Sequence, residues 1–175
     1  MYKRQPVGYG AAALGNLYRA LGDDEWPGIV PAAWAGGIRY FDVAPHYGLG
    51  LAERRLGESL RQLPRDEYIV STKVGRLLVP QDAAGRTDID NLFDVPADHR
   101  RVQDYSRDGV LRSIEQSLER LGLDRIDIAL VHDPDAHERE ALEGAFPALS
   151  ELRDQGVITS FGAGMNPVSY THLTL

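Results

Sequence analysis

Two kinds of apolar pattern alternate along the chain. Short runs that are almost wholly apolar stand between longer segments in which apolar residues recur every three or four positions. The clearest of the longer segments carries Val110, Leu111, Ile114, Leu118 and Leu121, which fall within a stripe of roughly 100° at helical spacing, the width of a face packed on a sheet. Ser106 stands where an N-cap belongs and Gly122 where a left-handed C-cap belongs. The same period predicts a helix through Ala52, Leu56, Leu60 and Leu63, and one through Ile29, Val30, Ala33 and Trp34 that stops at Gly36-Gly37. Another runs through Leu142, Phe146, Leu149 and Leu152 to Gly156. The short runs predict strands at about 7–13, 39–43, 68–73, 126–132 and 160–164. Apart from Asp127 the fourth is nearly continuous in apolar residues, as a strand covered on both faces should be. Strands and helices in alternation predict a parallel α/β fold.

Three of the predicted strands deliver titratable side chains at or just beyond their C-terminal ends. Asp42 and Tyr47 follow the second, in Tyr40-Phe41-Asp42-Val43-Ala44-Pro45-His46-Tyr47-Gly48; Lys73 ends the third and His132 the fourth. Ligand sites in parallel-strand folds form at that end, so these residues can converge although they are far apart in sequence. A carboxylate, a phenol, an ammonium and an imidazole together suggest proton transfer. Taken singly, each has a plainer role: Asp42 as a cap or turn former, Tyr47 as packing, Lys73 as a solvated charge. His132 with Asp133, Asp135 and His137 invites a metal reading, but Pro134 favours a turn and no ligand spacing is matched, so no metal is expected. Gly8-Tyr9-Gly10-Ala11-Ala12-Ala13 fits G-x-G-x-x-A, yet little strand precedes it. The next strand-end acid, Asp42, also lies about thirty residues on, against the roughly twenty of a dinucleotide-binding fold. A glycosidase would need an opposed pair of strand-end carboxylates.

Composition narrows the field further. The chain of 175 residues can bury one good core. Nineteen basic against twenty-six acidic side chains, a net charge of −7, argue against a nucleic-acid or acidic-membrane partner. The absence of cysteine excludes disulfides, thiolate metal sites and cysteine nucleophiles. No apolar run approaches the roughly 18 residues of a membrane span, and the first residues lack a signal-peptide pattern; a cytoplasmic protein is the expectation. The connection over 76–105 is too long for a turn and carries Pro80, Gly85, Pro96 and several aspartates. On the active-site side of a strand–helix unit, it is either a substrate lid or a solvated acidic excursion.

The motifs Phe41-Asp42-x-Ala44-x-x-Tyr47-Gly48, Glu53-x-x-Leu56-Gly57, Ser71-Thr72-Lys73 and Val131-His132 resemble the aldo-keto reductases, whose tetrad is Asp, Tyr, Lys and His. The resemblance runs from about Gly8 to Asn166. Within the family, Ala13-Leu14-Gly15-Asn16-Leu17-Tyr18, Pro45-His46-Tyr47-Gly48-Leu49-Gly50, Lys73-Val74-Gly75-Arg76-Leu77-Leu78 and His132-Asp133-Pro134-Asp135 look most like the aldose 1-dehydrogenase branch. That branch includes enzymes acting on L-fucose and related D-threo sugars, with L-galactose and pyridoxal dehydrogenases as near relatives.

The resemblance implies a (β/α)₈ TIM barrel, of which about four and a half units are present, in a single partial domain over 1–175. The chain is therefore expected to be an N-terminal fragment, inactive and poorly folded alone, with 1–5 and 168–175 outside the resemblance. The resemblance further implies NAD or NADP as cofactor, a small sugar or carbonyl compound as substrate, and Asp42, Tyr47, Lys73 and His132 as catalytic residues. Tyr47 would act as acid or base. A free phenol, with a pKa of about 10, needs a positive charge nearby for that task; Lys73 would supply it and Asp42 would hold it. His132 would orient the substrate oxygen or share the relay. Gly10 and Ala11 would leave room for nicotinamide, Asp42 would also border it, and Gly164, Met165 and Asn166 lie where the family contacts the carboxamide. Glu53 is expected to be structural. The leading activity is oxidation of an aldose at C1 to its lactone. Alternatives are pyridoxal or L-galactose dehydrogenation, carbonyl reduction, or a cofactor-holding barrel without turnover.

Overall fold

The computed structural model describes residues 7–165. Its strands are β1 (Tyr9–Gly10), β2 (Tyr40–Asp42), β3 (Ile69–Val74), β4 (Arg76–Pro80), β5 (His99–Gln103), β6 (Ile128–His132) and β7 (Ser160–Gly164). Five of them form one parallel sheet in the order β1-β2-β3-β6-β7, and β4 and β5 pair separately as an antiparallel ribbon. The register sets Asp42 beside Ser71, Lys73 beside Leu130 and His132 beside Gly164, so the strand ends fall along one rim. The predicted parallel α/β architecture is the one observed.

The helices are α1 (Ile29–Ala35), α2 (Leu51–Leu60), α3 (Arg107–Leu121), α4 (Glu138–Glu140) and α5 (Phe146–Asp154). On α3 the predicted ends hold: the Ser106 hydroxyl accepts from the Gly109 amide at 3.1 Å and Gly122 closes the helix at φ 62°. Val110, Ile114 and Leu121 are buried against the sheet, each worth about 1.5–3 kcal/mol if fully removed from water. They join Phe41, Val70, Ala129 and Val131 in the main core.

Three expectations need correction. The first strand is only Tyr9–Gly10, because Ala11–Gly15 turns into a 3₁₀ helix with Ala11 and Leu14 buried. Alanine favours helical backbone, and a three-residue spacing of buried side chains suits that tighter helix. The fourth strand starts at Ile128, since the Asp127 carboxylate is spent on the Val70 amide at 2.8 Å and on Arg65 at 2.7 Å. The last predicted helix is interrupted by a π turn at Ala141–Ala145, which rotates Leu142 outward to 57% exposure while Ala141, Ala145 and Leu149 face the core. Here the Phe146 amide reaches back to the Ala141 carbonyl, and Pro147, whose ring crowds the carbonyl four residues before it in a regular α-helix, follows directly.

The 76–105 connection is folded. Its β4–β5 ribbon pairs Arg76 with Gln103 through Pro80 with His99. Leu78, Phe93 and Val95 join Leu49 in a second small core, against which Tyr47 packs. Asp88, one of the aspartates of this connection, is buried and held by Arg101 at 2.5 and 2.8 Å, which does not suit a solvated excursion at that position.

Candidate active site

Lys73 organises the strand-end cluster. Its side chain faces one side of β3 and its Nζ donates to Asp42 Oδ2 at 2.6 Å, to the Val43 carbonyl at 3.1 Å and to the Tyr47 hydroxyl at 3.1 Å. An ammonium has three hydrogens, so all of its donors are used. Burial alone would pull this ammonium down, but the charges of Asp42 and Tyr47 and their hydrogen bonds outweigh it and hold Lys73 above its ordinary value. The second carboxylate oxygen, Asp42 Oδ1, accepts from Ser71 Oγ at 2.6 Å, and that hydroxyl lies 3.0 Å from the Tyr40 hydroxyl. Asp42 is thereby fixed from both ends.

Tyr47 is carried by the loop after β2 rather than by a strand, and a backbone contact fixes the loop. Gly48 has φ 60°, and a Cβ there would fall 2.2 Å from the Gly15 carbonyl oxygen. No larger residue fits between the loop and the 3₁₀ helix. The Tyr47 ring lies between Phe93, at 6.0 Å between centroids, and His132, at 5.9 Å. Because its oxygen accepts from Lys73, the phenolic hydrogen is free to point elsewhere.

His132 is buried, with Nε2 3.6 Å from Asp133 Oδ2. Burial first, then the positive charges of Arg76 and Lys73, push its pKa down to about 2. His46, whose ring stands 5.5 Å from that of His132, is pushed down to about 4 by burial and by Arg101 and Arg76. Both imidazoles are neutral near pH 7.

Asp42, Tyr47, Lys73 and His132 thus converge, and with Tyr40, Gly164 and Met165 they line a cavity of about 250 Å³. Gly164 also makes room for the lysine, since a Cβ there would stand 3.1 Å from Lys73 Cε. Gly10 is exposed, with open space where a Cβ would project. Ala11 departs from its expected place: its side chain is wholly buried in the main core beside Leu14, a packing role. Asn166 lies outside the described residues. Glu53 is fully buried and accepts from Thr72 at 2.8 Å and Arg120 at 2.5 Å, a structural tie as expected. Among the described residues no group of three His, Cys, Asp or Glu side chains could hold a metal ion, and no helix is long and apolar enough to cross a membrane.

Sequence reasoning gave Ser71, Asp133, Arg76 and Phe93 no role at this site. Ser71 carried a usable signal, since it is two residues from Lys73 and shares its strand face. Phe93 carried none, because its place depends on how the long connection folds.

The chain matches the Aldo/keto reductase family over residues 6–172. It is 54% identical over 161 residues to a D-threo-aldose 1-dehydrogenase of Pseudomonas sp, covering 90% of this chain and 49% of that protein. It is 42% identical over 178 residues to a pyridoxal 4-dehydrogenase of Microbacterium luteolum, covering 91% and 52%. The solved glycerol dehydrogenase of Gluconobacter oxydans superposes with a TM-score of 0.70 at 25% identity, over 94% of this chain and 46% of that one. The chain spans about half the length of these relatives. A family match from end to near end, the shared fold and the parallel sheet agree: this chain belongs to the aldo/keto reductase family, whose TIM barrel it represents in part.

Proposed function

We propose that the protein is an NAD(P)-dependent oxidoreductase that oxidises C1 of an aldose, such as L-fucose, to the lactone. The observation that carries this reading is the Tyr47 hydroxyl held 3.1 Å from a Lys73 ammonium that is itself anchored on Asp42. The residues present fit a nicotinamide: Gly164 contributes no side chain to the cavity wall, the space above Gly10 is open, and Tyr40 and Leu130 offer flat or apolar surface. Asp42, Gly164 and Met165 would border it. When bound, it supplies the two-electron acceptor for the hydride leaving C1.

The chain's own residues manage the proton. Oxidation of the anomeric carbon removes a hydride from C1 and a proton from O1, and Tyr47 takes that proton as general base. Tyr47 does so from its phenolate form, whose negative charge Lys73 stabilises and the incoming proton neutralises, and Asp42 keeps the ammonium in place. Neutral His132 hydrogen-bonds O1 and orients it. In the reverse direction Tyr47 donates the proton to a carbonyl. The branch assignment leans on the identity to the D-threo-aldose enzyme; the pyridoxal relative supports a second reading in which an aromatic alcohol or aldehyde is the substrate.

The test is formation of reduced nicotinamide by the full-length protein, with NAD and NADP each offered a panel of aldoses. Turnover with L-fucose, L-galactose or D-arabinose, and little reduction of hydrophobic aldehydes, is the expected result. Strong preference for pyridoxal or aromatic aldehydes would move the protein to another branch. No turnover with any panel member would favour a cofactor-holding barrel.

A further inference from the structure

Next to the strand-end cluster lies an ion pair to which the proton transfer above assigns no task. Asp133 follows His132 directly and has φ 39°, a left-handed conformation that is strained for a residue with a Cβ and persists where its surroundings enforce it. Here they do: its amide donates to the Gly164 carbonyl at 2.8 Å, and Pro134 follows. Its Oδ2 accepts from Arg76 at 2.8 Å and stands 3.6 Å from His132 Nε2. Arg76 opens β4, three residues after Lys73.

A neutral imidazole carries one proton on one of two nitrogens. His132 Nδ1 is buried and has no hydrogen-bond partner among the described residues, so a hydrogen there would go unanswered. Nε2 faces a carboxylate oxygen, which repels a nitrogen lone pair and attracts an N–H. The proton therefore belongs on Nε2. At 3.6 Å that N–H is biased by Asp133 without being consumed in a hydrogen bond. Arg76, which holds the same oxygen at 2.8 Å, is one restraint on that carboxylate. The other charged or titratable groups acting on His132, namely Lys73, His46 and Arg101, all disfavour a second proton on the ring. Tyr47, its oxygen occupied by Lys73, is the second uncommitted donor on the same cavity. In the carbonyl-reducing direction both can donate to one substrate oxygen; in oxidation His132 donates to O1 while Tyr47 accepts from it.

We infer that the Arg76–Asp133 pair is a positioning device for His132: Asp133 fixes the Nε2–H tautomer, and Arg76 restrains that carboxylate so that the N–H stays available to a substrate oxygen. The second half rests on the proposed reaction; the first does not. The test is ¹⁵N NMR of the histidine side chains in the full-length protein, with His132 assigned through His132→Gln. The wild type is expected to show the neutral Nε2–H pattern, and Asp133→Asn a mixture of tautomers with kcat lowered roughly 10- to 100-fold and cofactor affinity unchanged. Arg76→Met should keep the Nε2–H form but move its proton downfield as Asp133 closes on it, with KM for the sugar raised. A wild-type Nδ1–H signal, or an Asp133→Asn spectrum identical to wild type, would overturn the inference. So would an unshifted proton in Arg76→Met, which also serves if Asp133→Asn fails to fold. Absence of sugar turnover would count against the proposed function alone, since the spectra still decide the tautomer.

Discussion

Thr72 and Lys73 are neighbours on β3, and each reaches a carboxylate paired with a cation, yet the two sites differ in kind. On one face of the strand, Thr72 and Arg120 close on Glu53, whose side chain is fully enclosed at 0% exposure. On the other, Lys73 closes on Asp42, whose side chain keeps 27% exposure. Strand geometry sends successive side chains to opposite faces, so one segment serves both. The Glu53 pair ties α2, β3 and α3 together and has no opening; an arginine, which does not give up its proton, suits it. The Asp42 pair has a phenol as third partner and an opening for a ligand. A buried ion pair is therefore no mark of function by itself. The mark is a proton-bearing neighbour and space beside it.

The largest break in that comparison should come from Tyr47→Phe. It keeps the ring between Phe93 and His132 and removes only the transferable proton, so turnover by the full-length protein should fall about 10²- to 10⁴-fold with the melting temperature and nucleotide binding little changed. Near-normal turnover would end the assignment of Tyr47 as acid or base. Lys73→Met should be almost as damaging, on the order of 10²-fold or more, and should move the pH dependence of kcat upward, because the positive charge beside the transferring proton is gone.

Glu53→Ala tests the other face. It takes the carboxylate from Thr72 and leaves Arg120 with Ser117 Oγ at 3.2 Å but no counter-charge, and should cost roughly 3–5 kcal/mol of stability, read from urea unfolding, while kcat of the folded fraction stays near wild type. If kcat collapsed and the unfolding midpoint stayed put, the two faces of β3 would not be separate. The smallest effect is expected from the histidines. His46 and His132 refuse protons that the unfolded chain takes up below about pH 6.5, so stability should be level above that pH and decline below it. His46 stops contributing near pH 4 and His132 near pH 2. His46→Gln should flatten the decline between about 6.5 and 4, and an unchanged acid limb in that variant would contradict the neutral state of His46.

The sequence carried the sheet and its rim well because those depend on local period and strand-end chemistry. Ser106 and Gly122 bounded α3, and Ser160–Gly164 was the predicted strand to the residue. Most of what escaped was set by non-local contact. Ala11 reads as an open strand end by composition, but its burial depends on helices that cover it from later in the chain. Leu142 escaped for a local reason: it fits a helical stripe until the π turn just ahead of Pro147 shifts the phase. The ribbon over 76–105 needed Leu49, Leu78, Phe93 and Val95 to find one another across the Tyr47 loop.

That ribbon has a consequence for anyone wishing to redirect substrate choice by loop exchange. Its two stems, unlike its tip, are wired into the chemistry. Arg76 at one stem grips Asp133, and Arg101 at the other donates to the His46 carbonyl at 2.9 Å, one residue before Tyr47. A transplant of the whole connection would remove the packing of Phe93 on Tyr47 and the grip of both arginines in the same step. A graft confined to 81–98 would leave both arginines at home, though Asp88 would have to be kept as the partner of Arg101 and Phe93 and Val95 matched in shape. The useful seam for engineering runs through the middle of the ribbon rather than at its ends.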